Sequence, residues 1–517
     1  MKKTMYFAAA ALSAIILQCC SAEDPFSDLY GNGNNSTNSY SSNTAGSASA
    51  GQLTQGLAID KVTAEPAAIV AEYFPESEDN LENNSFTTKV AIDLSNPEAK
   101  SEGGVDITVN GGHVTANHGT TKSVCYVVSG STANGSLTIV GEKKYEVELN
   151  DVSITNPDSA ALNLLSSKRA YVVVNGTNTL QDGTTSQNDH KGALYCKGKL
   201  LLNGSGTLEV YGNYNNAIHS ADYIVTRPGM HIYANSTKNH GMKANDGIFI
   251  NGGIINIEVS GAGAKGINCE SNIQVNGGRT IVIATGSNGY EDGDVTRAKA
   301  IKCDSAYVQN GGEVRAYSKT SEGLEAKTTI DINGGTLSCM SSDDAINAGS
   351  HATISGGMVM AYSTGNDGLD TNGNCYIRGG VVYAIGATAP EVGIDANTEG
   401  GYKLYVQGGT VVAIGGLENG SQLSQPCYQA ASWNKNTWYA LYSGDNLALA
   451  FKTPASGGTS LVVSTSGTPA LTQGVSVSGG STTFFNMAYT AATVSGGSTV
   501  NLSSYSGGSG MGGGRRW

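Results

Sequence analysis

Residues Gly323–Gly335 read GLEAKTTIDINGG, Ala345–Gly357 read AINAGSHATISGG, and Gly368–Gly380 read GLDTNGNCYIRGG. Each stretch opens with a small residue, then Ile or Leu, a variable residue, and Ala or Thr. Each closes on two glycines after a short run such as Ile330-Asp331-Ile332. Alternation of this kind is the strand period, and paired glycines supply the positive φ of tight turns. The opening motif is centred on Leu194, Ile218, Met242, Ile267, Ile301, Leu324, Ile346, Leu369 and Ile394. The steps are 22–25 residues, except for 34 across Gly286–Ala298, which reads as an inserted loop. The glycine turn recurs at 110–112, 251–253, 276–278, 310–312, 333–335, 355–357, 378–380 and 407–409.

Three short strands and three turns per repeat predict an all-β chain folded as a right-handed parallel β-helix. Successive coils would stack about 4.8 Å apart, so that equivalent residues form ladders. A β-propeller is the rival, but its blades repeat at about 40–45 residues. The Ile/Leu/Met ladder points inward, as does the Cys/Ala/Ser/Thr ladder holding Cys196, Cys269 and Cys303. Residues 101–180 carry the pattern less regularly and read as first coils, Val105–Gly112 among them. From about Pro426 the spacing breaks, which predicts a small C-terminal β appendage or cap over 426–505, with a Gly-rich tail at 506–517. The helix domain is placed at 61–425.

The N-terminus reads as an address. A cationic Met1-Lys2-Lys3, an apolar run to Leu17 and Leu17-Gln18-Cys19-Cys20 resemble a bacterial lipobox. The expected lipidated residue is Cys20, with Cys19 or an ordinary cleaved signal as alternatives. Ser21-Ala22-Glu23-Asp24 is similar to an acidic export signal of surface lipoproteins. The expectation is an exported protein, lipid-anchored to the outer membrane at the cell surface, that touches the membrane through its lipid alone. Residues 21–60 read as a flexible tether, whose part richest in Ser, Asn and Gly, Gly31–Gly56, reaches roughly 25–30 Å.

The net charge of −13 over 517 residues argues against a nucleic-acid or other polyphosphate partner, which needs a basic face. Seven cysteines follow Cys20, an odd number with no CxxC spacing, and read as buried packing rather than zinc ligands.

The residues flanking the Ile/Leu ladder change sign along the chain. Early coils carry Asn216/His219, His240/Lys243, Lys265/Asn268 and Lys299/Lys302; later ones carry Glu322/Glu325, Asp344/Asn347, Asp367/Asp370 and Asp395. Carboxylates at about 4 Å repel by roughly 1 kcal/mol in water and about 4 at an effective dielectric of 20. Calcium offsets such repulsion and takes six to eight oxygens in loose geometry. The candidate ligands are Glu322, Glu325, Asp343, Asp344, Asn347, Asp367, Asp370 and Asp395, with a solvated acidic face as the alternative. Lys265, Lys299 and Lys302 would attract an anion. Tyr211, Tyr317, Tyr362 and Tyr383 follow their glycine turns at outward positions, where they would stack on sugar rings or lie beneath the C-terminal segment.

Lys191-Gly192-Ala193-Leu194-Tyr195, Asn203–Leu208, Ser342–Asn347, Asp367–Gly373, Tyr145–Thr155 and Ala160–Gly183 together resemble a bacterial family of carbohydrate-binding parallel β-helix proteins. That family's fold is similar to the family 9 pectate lyases, and the resemblance covers roughly residues 100–415. It implies calcium-dependent binding of plant-type polysaccharide, including uronate polymers. Two functions of different class follow, a non-catalytic surface polysaccharide binder and a polysaccharide lyase using Lys299 or Lys302 as base. An adhesin or structural stalk is the third.

Overall fold

The computed structural model describes residues 70–507, except for 187, 188, 292, 481, 484 and 485. Cys19, Cys20, the signal segment, the tether and the tail from 508 lie outside the described residues.

The chain winds as a nearly all-β solenoid of about 11 coils. One coil shows the construction. Lys299–Cys303 lies on a first face, Tyr307–Gln309 on a second and Glu313–Ser318 on a third; the next coil begins at Leu324–Ala326. Each strand pairs in parallel with its equivalent one coil away. On the first face the apolar ladder runs Leu194, Ile218, Met242, Ile267, Ile301, Leu324, Ile346, Leu369. Single bridges extend it to Ile394 and Leu417. The neighbouring inward ladder carries Cys196, Ser220, Ala244, Cys269, Cys303 and Ala326. All seven described cysteines are buried and free, as expected of small apolar packing.

The turn between second and third faces explains the glycine pairs. Gly335 has φ +76°, and a Cβ there would lie 2.4 Å from the Gly312 carbonyl oxygen of the coil beneath. The asparagines before these glycines chain together. Asn276 Nδ2 donates to Asn251 Oδ1 (2.9 Å), Asn310 to Asn276 (3.0 Å) and Asn333 to Asn310 (2.9 Å). The amides therefore satisfy one another along the axis.

Both ends depart from parallel winding. Val105–Asn110 was expected as a first coil. Instead it pairs antiparallel with Lys100–Glu102 and with Gly112–Asn117, and only the last of these joins the parallel stack. At the other end, Leu461–Ser464 runs antiparallel to Thr410–Ile414, and Cys427–Ala430 and Leu502–Tyr505 extend that edge. Antiparallel strands thus cover both open edges of the stack. A second C-terminal element, a six-stranded antiparallel sheet built around Trp438–Ser443 and Asn446–Lys452, packs on the outside of the third face.

The described chain begins as a strap on the outside of the second face. Val70 lies against Gly311, and Tyr73 N–H donates to Asn251 Oδ1 (2.8 Å). Arg227 Nε pairs with Glu72 (2.6 Å) and its Nη1 with Glu82 (2.8 Å). Arg169 Nε donates to Asp79 (2.7 Å), which also accepts from the Tyr223 hydroxyl (2.7 Å). Phe74, Leu81 and Phe86 cover Tyr171, Leu201 and Val225. The strap crosses successive coils in reverse before Thr88 joins the stack beside Val124.

Candidate functional site

The variable position of the first face forms one register: Tyr195, His219, Lys243, Asn268, Lys302, Glu325, Asn347, Asp370. The expected change from basic to acidic therefore occupies a single wall of the molecule. The companion row is also in line. Gly323 N–H donates to the Asp344 carbonyl and Ala345 N–H to that of Asp367, which sets Glu322, Asp344 and Asp367 on consecutive rungs.

The eight expected metal ligands fall into two groups. Glu322 and Glu325 are held by Lys299, whose Nζ lies 3.0 Å from Glu322 Oε1 and 2.5 Å from Glu325 Oε2. Lys327 pairs with the other Glu325 oxygen. Burial acts to raise the Glu325 carboxyl, but Lys299 and Lys327 outweigh it and hold it below its ordinary value. Asp343 is paired with Arg297 (2.6 Å) and accepts from Asn366 (2.9 Å). These three carboxylates already have counter-charges.

Asp344, Asn347, Asp367, Asp370 and Asp395 form the second group. Carboxylate oxygens of Asp367, Asp370 and Asp395 lie within 4.8 Å of one another. Oxygens at 2.3–2.6 Å from a shared calcium are at most about 5 Å apart, so the spacing fits one ion. Asn347 Nδ2 bridges Asp344 (2.8 Å) and Asp370 (2.9 Å), and the Asp367 N–H donates to Asp344 Oδ1 (3.1 Å). Turning the Asn347 amide over would place an oxygen where Nδ2 stands. Among the described residues, no lysine or arginine forms an ion pair with Asp344, Asp370 or Asp395.

Crowding without a cation shows in the acidities. Burial, then Asp370, pushes the Asp344 carboxyl up to about 8. Burial likewise raises Asp370. Burial and a hydrogen bond with Glu418 raise Asp395. Unfolded Asp releases its proton near pH 4, whereas folded Asp344 keeps it to about pH 8. Between those values the folded state binds more protons, so stability falls as pH rises. In chelator, the melting temperature is expected to drop from about pH 5 to about pH 8, and Asp344→Asn to flatten the slope. A melting temperature that does not fall over that window, or falls as steeply in Asp344→Asn, would show that Asp344 does not hold its proton there.

Glu418 was missed in the sequence, although Gly416-Leu417-Glu418 repeats the coil motif one step after Ile394.

The basic half of the wall holds a cleft of about 400 Å³ lined by Tyr214, Lys238, His240, Lys243, Lys265 and Tyr290, among others. One side is the inserted loop, which forms a hairpin pairing Gly289–Glu291 with Asp294–Thr296. Lys265 Nζ donates to Thr296 Oγ1 (2.6 Å), tying floor to hairpin. Tyr214 stacks on His190 at 4.7 Å and donates to Asp189 (3.0 Å). Of the expected anion-binding lysines, only Lys265 reaches this cleft. Lys299 lies between its two glutamates, and Lys302 pairs with Asp304. The aromatic walls were missed because Tyr214 lies in a turn and Tyr290 in the inserted hairpin, outside the repeating positions.

Of the two expectations for the tyrosines, cover by the C-terminal segment holds for three of them, and sugar stacking by these three is corrected. Tyr317, Tyr362 and Tyr383 do point outward from the third face, but the C-terminal sheet covers them, leaving 7%, 3% and 0% exposed. They pack with Tyr439, Leu441, Leu449 and Phe451 and offer no face to a sugar. Tyr211 lies outside that cover, half-buried, and donates to Glu209 (3.3 Å).

No curated protein matches the chain. A solved polysaccharide lyase-like protein from C. thermocellum, studied as a gadolinium derivative, is similar at 19% identity and a TM-score of 0.31. The match covers 56% of this chain and 96% of that one. The family model described as carbohydrate-binding domain-containing protein matches residues 110–368. That span is half of the 517 residues and contains the cleft, the Lys299 ion pairs and the first carboxylates of the acidic row. The chain belongs to the carbohydrate-binding domain-containing proteins.

Proposed function

We propose that the first face binds an acidic, uronate-containing polysaccharide without cleaving it, using calcium held by Asp344, Asn347, Asp367, Asp370 and Asp395. The observation that carries this reading is the convergence of the Asp367, Asp370 and Asp395 oxygens in a partly buried row where, among the described residues, Asp344, Asp370 and Asp395 have no ion pair with a lysine or arginine. An all-oxygen donor set suits calcium and disfavours zinc. The bound ion would cancel the repulsion and leave coordination positions for a sugar carboxylate.

The lyase alternative is disfavoured by where the lysines stand. Lys302 is three rungs from Asp370, about 14 Å away at the inter-strand spacing. Lys299 is enclosed by Glu322 and Glu325. Neither is placed to take a proton from a sugar held at the aspartates. The lipobox-like start places the protein, in this reading, on the outer membrane facing outward.

Polygalacturonate is expected to retain the protein more strongly in calcium than in chelator, with no unsaturated, ultraviolet-absorbing product. Asp370→Asn should weaken calcium roughly tenfold or more, since ligand charge sets affinity at such sites. Calcium at 100 times its dissociation constant should add about 2.7 kcal/mol to stability. Unsaturated product would establish a lyase; retention that calcium does not strengthen and that Asp370→Asn leaves unaltered would remove the metal from the reading.

A further inference from the structure

We propose that the cleft between Tyr214 and Tyr290 is a second subsite, independent of metal, that takes an anionic group carried on a sugar ring. The inference rests on the reading of this face as a polysaccharide-binding surface and adds a place and a chemistry to it.

Its volume, about 400 Å³, lies within the range of small-ligand sites. Its charge runs against that of the whole protein. In a chain of net charge −13, Lys238, Lys243 and Lys265 meet here, and among the described lining residues Asp189 is the one carboxylate. Lys243 is shared with Glu270 (2.8 Å), just outside the lining, and Lys238 is exposed at the rim.

His240 supplies a donor of fixed sense. The Lys265 backbone N–H donates to His240 Nδ1 (3.1 Å), so the ring proton resides on Nε2. Burial, then the charges of Lys265 and Lys243, keep the ring neutral. A neutral N–H donor beside ammonium groups suits a carboxylate or a sulfate, which only accept hydrogen bonds.

The walls suit the rest of the sugar. Tyr214 is steadied by His190 and Asp189, while Tyr290 stands 79% exposed on the hairpin, an apolar face above a polar floor. Lys243 also shares its register with Asp370, five rungs or about 24 Å along the same face. One extended polymer would reach both places.

The test is calorimetric titration of the full chain in chelator with three short oligosaccharides: a hexuronate, a sulfated one and a neutral one. Binding of either anionic oligosaccharide, weakened by salt, is expected, and the stronger of the two identifies the anion. Lys243→Gln should weaken it about 10- to 100-fold, as for loss of a charge-assisted hydrogen bond. Tyr290→Ala, on an exposed hairpin, should cost roughly three- to tenfold without affecting the fold. Equal binding of the neutral oligosaccharide, no binding of any of the three, or full affinity in both cleft variants would overturn the proposal. None of these outcomes bears on the aspartate row, whose failure shows instead as polymer retention that calcium does not strengthen.

Discussion

Lys299→Met is expected to destabilise the protein by about 3–5 kcal/mol at neutral pH, the usual cost of removing one partner from a buried charge pair. Lys299 is 8% exposed and its ammonium bridges Glu322 and Glu325. Methionine fills the space but leaves two buried carboxylates on adjacent first-face positions with Lys327 as their remaining partner. They would respond by holding protons, so the loss should shrink as pH falls towards 5. Adding Glu325→Gln should restore much of the stability, because the two side chains are directly coupled. Denaturant unfolding of the three variants at two pH values measures this. A loss under about 1 kcal/mol for the single variant would mean that the ion pairs contribute little. Rescue of the variant by calcium would return Glu322 and Glu325 to the metal-binding set.

Tyr383→Ala is expected to cost about 3–5 kcal/mol, the range for truncating a large buried ring. Its ring packs 5.2 Å from that of Phe451, and its hydroxyl donates to the Lys452 carbonyl at 2.8 Å. Both partners belong to the C-terminal sheet, so the damage should be local. Hydrogen exchange should quicken in Trp438–Gln473 and the facing strands while the coils before residue 260 keep their protection. Tyr383→Phe should lose about 1 kcal/mol, the worth of one hydrogen bond. Uniform loosening of every coil would contradict this division. Polysaccharide affinity should be unchanged in either variant, since the ring faces protein.

The solenoid was legible in the sequence because each coil must repeat the same inward residues to stack. The Leu194-to-Ile394 ladder and the glycine turns carry that constraint openly. Direction of pairing is not encoded in the same way: Val105–Asn110 alternates as a parallel strand would, yet folds back antiparallel. Alternation likewise placed Tyr317, Tyr362 and Tyr383 on the outer surface but could not say that another sheet would lie on them. The acidic row was readable from spacing, whereas its division was not. That depended on Lys299 reaching forward one coil and Arg297 reaching two, to Asp343. The cleft was half readable, since Lys243 and Lys265 sit on the repeat while Lys238, Tyr214 and Tyr290 do not.

The strap over the second face also decides how the molecule would respond to pulling. Val70 emerges beside Gly311, at the waist of the barrel rather than at a tip. Tension applied there reaches the clasps at Asn251, Arg227 and Arg169 in turn before it can tug on Thr88 and the first rung. A moderate load would therefore peel the strap like a seam and leave the stacked coils wound, so that the barrel gains slack before it loses shape.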